Sequence, residues 1–400
     1  MTVMEGVGGR NVGSACVELA GAERGEGYDF QGNQKQVPTP PEPASGAGFS
    51  IGQDVLPALL LFLSAARVDH CITVVKRNLQ VASVKREITK PKKAVIRWLL
   101  DSDPSIRWQV ERDLTGEPEE IVAAERSRVA VEGWGARLLS LQEPDGNWGG
   151  GPWVFQSWAS TMETLMLLRE LGLDPASPQA RKAIGLVRDK SDWGPYHGHS
   201  PFFEGEVEPC INGRVLACGA YFGEASDRLV DRLLSEQLQD GGWNCEAPPS
   251  KRSSFNSTIC VLEGLLEYET AKGATSAVKD ARLRGQEYLL ERKLFRSLST
   301  GKVIDRDRKS DRDWREFSFP TRWHYDVLWG LDYLRKAGAG PDERAAEAID
   351  LVAGKQHQNG RWPLDNPHAG KVHFDMEGGR GTASRWNTLR ALRVLDWFSA

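Results

Sequence analysis

The chain has 400 residues, with 51 Lys and Arg against 55 Asp and Glu and a net charge of −4. That balance leaves no basic footprint for nucleic acid, and 40 % hydrophobic residues exclude a wholly disordered or collagen-like chain. No apolar run is long enough to span a bilayer; the best, Val55 to Ala66, is interrupted by Pro57.

The first 92 residues differ from the rest. They contain none of the 14 Trp and include VPTPPEPASGAG, a linker composition. They are expected to form a disordered or weakly ordered N-terminal extension, with one folded unit over 93–400. Six cysteines spread over the whole chain do not read as a disulfide framework, so a reducing cytoplasm is the expected setting.

From Lys93 onwards the periodicity is helical, and almost no alternating strand pattern occurs. Asp103-Pro104 reads as an N-cap followed by Pro at the first helical position. Helices are predicted over 93–101, 104–114, 118–142, 157–171, 178–189, 210–222, 226–239, 254–271, 276–296, 319–337, 341–357 and 382–398. Gly172 and Gly338 stand where helices should stop.

Self-comparison organises these helices. LLSLQEPDGNW (138–148), LLSEQLQDGGW (233–243) and LVAGKQHQNGRW (351–362) each run from a helix end through Gln and Gly to Trp. A polar loop and a second helix follow each one. Two weaker copies lie at 186–194 and from 289 through Trp314. The expected purpose is a corner: Gly frees the backbone, Trp folds over the turn, and the Gln amide satisfies orphan helix-end groups.

These segments resemble the QW repeats of the squalene-hopene cyclase and protein prenyltransferase superfamily, also described as prenyltransferase and squalene oxidase repeats. The resemblance covers about 135–400. It implies an all-α fold, an (α/α) toroid of five to six helical hairpins around a central cavity. Functional residues would lie where the inner helices begin. It further implies a small isoprenoid-like, apolar ligand, with a terpenoid cyclase or prenyl-handling transferase as the activity. A second subunit, as in protein prenyltransferases, is compatible with it. The Asp-x-Asp-Asp acid motif of class II cyclases is not present; the nearest acidic run, Asp305-Arg306-Asp307 with Asp311 and Asp313, is interleaved with basic residues.

Three groups of side chains then stand out. Glu208, Cys210, Cys245, Glu246, His324 and Asp326 flank predicted inner-helix starts. Cys210, Cys245 and His324 are the expected metal ligands, zinc being the metal that two thiolates and an imidazole suit. Asp326, His324 and Glu208 are the expected proton-transfer residues. Trp158, Asn212, Arg214, Trp243, Phe255, Asn256, Trp323, Trp386 and Asn387 form the expected substrate-binding set, since aromatic faces stabilise carbocations. A loop with His197, His199, Glu204 and Glu206 is a weaker metal candidate and a better lid, faced by Phe202 and Phe203. Two other classes remain open. Glu208, Asp326, Asp375 and Glu377 would serve a carbohydrate hydrolase or lyase, and a non-catalytic apolar-ligand-binding protein would need none of them.

Overall fold

A computed structural model describes residues 91–154, 157–304 and 313–399. The expected N-terminal extension lies outside the described residues, apart from 91 and 92, as do Asp305, Asp307 and Asp311.

The described chain is mostly helical. In order the helices are α1 (Lys93–Leu100), α2 (Pro104–Val110), α3 (Glu119–Ser127), α4 (Gly133–Ser140), α5 (Thr161–Leu171), α6 (Pro178–Lys190) and α7 (Pro209–Phe222). They continue with α8 (Asp227–Ser235), α9 (Phe255–Lys272), α10 (Ser276–Glu291), α11 (Val327–Lys336), α12 (Ala346–Gly354) and α13 (Arg385–Ser399). Two-residue strands, β1 (Trp362–Pro363) and β2 (Ala383–Ser384), pair antiparallel ahead of α13. No described helix is long and apolar enough to cross a membrane.

Local chemistry sets the helix ends. Asp103 caps α2 as predicted, its Oδ1 accepting from Ser105 N at 2.9 Å with Pro104 at the first helical position. Its second oxygen accepts from Trp134 N at 2.7 Å, at the start of α4. That second bond breaks the single helix predicted over 118–142. Gly133 turns there with φ +65°, and a Cβ at this position would sit 2.0 Å from Asp103 Oδ2. The predicted helix over 319–337 begins only at Val327, where Asp326 Oδ1 accepts from Trp329 N at 2.8 Å.

Burial divides the helices into two kinds. Every residue of α5 except Glu170 is buried, and α7 and α13 are buried on nearly all sides. By contrast α8 buries only Leu229, Val230 and Leu233, the single apolar stripe of a surface helix. The buried helices pack in sequence: α5 on α7, α7 on α9, α11 on α13, and α13 back on α2. The α7–α9 contact is backbone against backbone. A Cβ on Gly264 would lie 2.4 Å from Gly213 O, and one on Gly213 would lie 2.6 Å from Cys260 O.

Three corners have the same construction. Trp148 Nε1 donates to Leu138 O at 2.8 Å, Trp243 Nε1 to Leu233 O at 2.7 Å, and Trp362 Nε1 to Val352 O at 2.7 Å. In each, the Trp backbone N–H donates to a threonine hydroxyl of the following buried helix: Thr161, Thr258 and Thr388 at 3.1, 3.0 and 3.0 Å. Gln142 donates to Gly146 O and to Ala183 O of α6, both at 2.9 Å; Gln237 donates to Gly241 O and to Ala281 O of α10, at 2.6 and 2.8 Å. The first two corners thus rest on the next surface helix in the chain. The third, having none after it, rests on α1: a Cβ on Gly360 would meet Val95 at 2.9 Å, and Lys92 Nζ donates to Gln358 O. The C-terminal helix reaches the same end, Arg385 donating to Asp101 O and Arg393 to Gln109 Oε1.

The two weaker copies keep the helix–loop–helix order without the corner. Trp193 donates to Phe202 O at 2.8 Å and stacks on that ring, rather than reaching a helix-end carbonyl. In the other copy Tyr325 takes the part of the Trp, its hydroxyl donating to Leu294 O at 2.8 Å, and Trp314 packs on Phe255 and Tyr325.

Candidate functional site

Buried helices α5, α7, α9, α11 and α13 all begin next to loops that carry chemistry. Pro209 starts α7, and the loop before it is clamped by Asn212: its Oδ1 accepts from Glu206 N at 2.8 Å and its Nδ2 donates to Glu206 O at 3.1 Å. Gly205 is required there, because a Cβ would lie 2.3 Å from Asn212 Oδ1 at φ +72°. Arg232 adds a bond to Val207 O at 2.8 Å. This loop presents Glu208, and the first turn of α7 presents Cys210, 3.7 Å from Glu208 Oε2.

Cys245 arrives from the second corner, two residues after Trp243. Asn244 folds that turn, donating to Ser250 Oγ and Arg252 O and accepting from Glu246 N. Cys245 Sγ lies 3.3 Å from Ser257 Oγ in the first turn of α9. The ligand atoms of Glu208, Cys210 and Cys245 all lie within 4.8 Å of one another, the one such group among the described residues. Cys210 is buried; Glu208 and Cys245 are partly exposed. His324 lies outside this group, in which the two expected thiols meet Glu208 instead. Cys218 and Cys260 are deeply buried thiols, and burial pushes Cys218 up to about 12 and Cys260 higher still, as packing residues.

Next to the cluster, Glu206 is raised to about 7 by burial, with Glu208 adding to the shift. His197 Nδ1 approaches its carboxylate at 3.7 Å, and His199 turns instead to Asp192. Neither histidine joins the thiols. Phe202 and Phe203 are buried, which makes them anchors for this loop rather than the exposed face of a lid.

Charged side chains crowd the space between the buried helices. Only about 20 Å³ remains between α5, α7, α9 and α11, walled by Glu163, Arg214, Glu263, Arg322 and Trp329. Arg214 meets Glu163 at 2.7 Å, and Arg169 meets Glu263 at 3.1 Å and Glu267 at 2.8 Å. Burial opposes the charge on Glu163, but Arg214 and Arg322 outweigh it and hold the group below its ordinary range.

The larger cavity, about 100 Å³, lies at the start of the buried helices, between α5 and the loop ahead of α13. Its walls include Trp158, Phe319, Arg322, His373, Phe374 and Glu377. Trp158 is held by its Nε1 donating to Ala369 O at 2.7 Å. His324 lies nearby in a ring cluster, stacked on His368 with centroids 4.7 Å apart and edge-on to Trp158. Trp323 packs on His324 at 3.6 Å. Of the predicted binding set, Trp158 therefore lines the larger cavity and Arg214 the smaller one.

Other predicted site residues hold the scaffold. Trp243 is wholly buried in its corner. Phe255 sits in a ring cluster with Tyr288, Trp314 and Tyr325, and Asn256 Oδ1 accepts from Tyr325 N. Asn387 donates to Pro363 O, and Trp386 stacks on Phe319 at 4.3 Å, behind the cavity wall. Asp326 uses one oxygen as the α11 cap and the other to accept from Ser318 N at 3.2 Å. Burial raises its pKa, opposed chiefly by Arg390. Both of its oxygens thus serve the fold.

The acid at the cavity is Glu377, which sequence reading reached only through the carbohydrate alternative. Its Oε1 accepts from Trp386 N at 3.0 Å, in the first turn of α13. Burial raises it to about 7. The folded protein therefore keeps this proton between about pH 4.5 and 7, where the unfolded chain has lost it. Stability is expected to fall as pH rises through that window, by up to about 1.4 kcal/mol per unit. Glu377→Gln should flatten that part of a plot of Tm against pH. An unchanged slope would show that Glu377 does not hold the proton.

No known protein family and no curated protein matches the chain. The chain is similar to solved structures of the type II terpene cyclase MstE from Scytonema. With merosterolic acid A bound as product, identity is 15 % over 74 % of this chain and 86 % of that one, TM-score 0.39. With geranylgeranyl dihydroxybenzoate bound as substrate, the values are 16 %, 74 %, 87 % and 0.37. For apo MstE they are 16 %, 73 %, 87 % and 0.37.

Proposed function

We propose that this protein is a zinc-dependent, prenyl-handling enzyme built as an (α/α) toroid, working at the end of the ring where the inner helices begin. The observation that carries the reading is the convergence of Glu208, Cys210 and Cys245. The toroid is supported by the third corner, which rests on α1 as the first two rest on α6 and α10. It is supported too by the packing of α13 on α2. On this reading the Gln-to-Trp segments are QW repeats, as in squalene cyclases and prenyltransferases.

The donor set fits zinc. Tetrahedral zinc with bonds of 2.0–2.3 Å holds its donors roughly 3.5 Å apart, and these three atoms already lie within 4.8 Å. Small side-chain rotations close the difference. Three protein ligands with two of them partly exposed suit a site that keeps a position for substrate, whereas a structural zinc takes four protein ligands. Bound there, zinc would activate a thiol, a water or a substrate oxygen by lowering the cost of its negative charge.

The residues around it have separate tasks. Amide groups at the start of α7 favour negative charge at Cys210. Asn212 and Asn244 fix the two loops that bring the ligands together. Trp158, Phe319 and Phe374 offer aromatic faces to an apolar or cationic group. A cavity of about 100 Å³ takes one end of an isoprenoid, not the whole chain.

The test is turnover by the full-length protein, with isoprenyl diphosphates, squalene and oligosaccharides as alternative substrates and mass spectrometry of the products. Consumption of a prenyl substrate, lost on chelation and in Cys245→Ala, is expected. Turnover of an oligosaccharide alone would overturn the reading in favour of carbohydrate chemistry.

A further inference from the structure

Arg322 is the least satisfied buried cation of the cavity wall. It is 8 % exposed and lies in the wall of both the larger and the smaller cavity. Its Nη1 reaches Glu163 Oε2 and Trp158 O only at 3.5 Å, the outer limit of a hydrogen bond, and its Nε has no partner. Glu163 is already taken by Arg214 at 2.7 Å, and Arg214 Nε is unpartnered as well. Two guanidinium groups thus share one carboxylate. A buried charge that is only loosely paired is destabilising until another group completes its pairing. The backbone of Arg322 is also held at φ +59°, in the left-handed region that a side chain rarely takes.

The other groups facing the cavity do not supply the missing charge. Glu377, raised to about 7 by burial, is only about half ionised at neutral pH. His373, whose Nε2 shares a hydrogen bond with Thr164 Oγ1, is held below its ordinary value by burial, Arg322 and Lys371, and so is neutral. Asp375 is exposed, towards the mouth.

We infer that the cavity binds a compact, singly charged oxyanion, the carboxylate head of an apolar acid, with Arg322 as its receptor. The carboxylate would accept from the guanidinium and complete the pairing that Glu163 leaves short, while Trp158 and Phe319 flank the apolar part. Size and charge both limit the head. About 100 Å³ admits a small head group and not a whole isoprenoid chain. Glu163 and Glu263 behind Arg322 oppose a second negative charge. A phosphate monoanion presents the same chemistry, and the experiment separates it. The inference deepens the enzymatic reading by naming a substrate class. It is read by binding alone, so it fails or stands apart from zinc and turnover.

The experiment is calorimetric titration of the full-length protein with 3-methylbut-2-enoate, with inorganic phosphate, and with the neutral 3-methylbut-2-en-1-ol. It is repeated on Arg322→Met and Arg322→Lys, with circular dichroism to check folding. The wild type is expected to bind the carboxylate in preference to the alcohol. Arg322→Met should weaken carboxylate binding about tenfold to a hundredfold and Arg322→Lys less, the share of one charged hydrogen-bonded pair. Phosphate bound in place of the carboxylate, and lost in Arg322→Met, would keep Arg322 as the receptor and change the head it takes. Equal binding of acid and alcohol by the wild type overturns the inference without recourse to a variant. So does binding of neither anion, or carboxylate affinity unchanged in Arg322→Met.

Discussion

Trp243→Ala is expected to cost about 3–5 kcal/mol of folding stability, the range for deleting a large buried aromatic side chain. Trp243 is fully buried, and its ring meets Gly285 of α10 so closely that a Cβ there would lie 3.0 Å from it. Removing it also leaves Leu233 O, at the end of α8, without its donor. Cys245 lies only two residues further on, so its position should loosen with the corner. Denaturant unfolding measures the first effect. A change below about 1 kcal/mol, together with lost ligand affinity, would return Trp243 to the ligand-binding set in which the sequence first placed it.

Glu163→Leu should be nearly as damaging. It removes the carboxylate that faces Arg214 and Arg322 inside the protein and leaves both cations uncompensated, a loss of about 3–5 kcal/mol. Adding Arg214→Met should recover part of that loss, because an apolar pair of similar volume escapes the desolvation penalty. Equilibrium unfolding of the two single variants and the double variant gives the coupling. Strict additivity would mean that Glu163 and Arg214 do not act as a pair.

The parts of the fold that were legible in the sequence are those decided by nearby residues. Asp103-Pro104 announces a helix start because cap and ring act within one turn. The Gln–Gly–Trp spacing announces a corner because donor and acceptor lie ten residues apart in all three copies. The break at Gly133 was hidden, since it depends on Asp103 accepting from Trp134 N across thirty-one residues of chain.

The site was legible in part for the same reason. Cys210 and Cys245 could be considered together because one opens a buried helix and the other lies in the loop before one. His324 also precedes a buried helix, yet that alone does not fix which other helix starts it meets. Glu208 arrives with Cys210 from two residues away, and that proximity was the signal that it would join the two thiols. For Asp326, Asn212 and Asn387 the sequence left the role open, because a polar residue at a helix start has two uses. It can face a ligand or satisfy the backbone, and here all three do the second. Arg322 gave no signal at all; its significance lies in partners it lacks.

The most direct test of the account is metal content, by elemental mass spectrometry on the purified full-length protein and on Cys210→Ala and Cys245→Ala. The account predicts about one zinc per chain in the wild type, lost in both variants while their circular dichroism stays that of the folded protein. A wild type without zinc after growth in zinc-supplemented medium, or zinc retained in both variants, would contradict it.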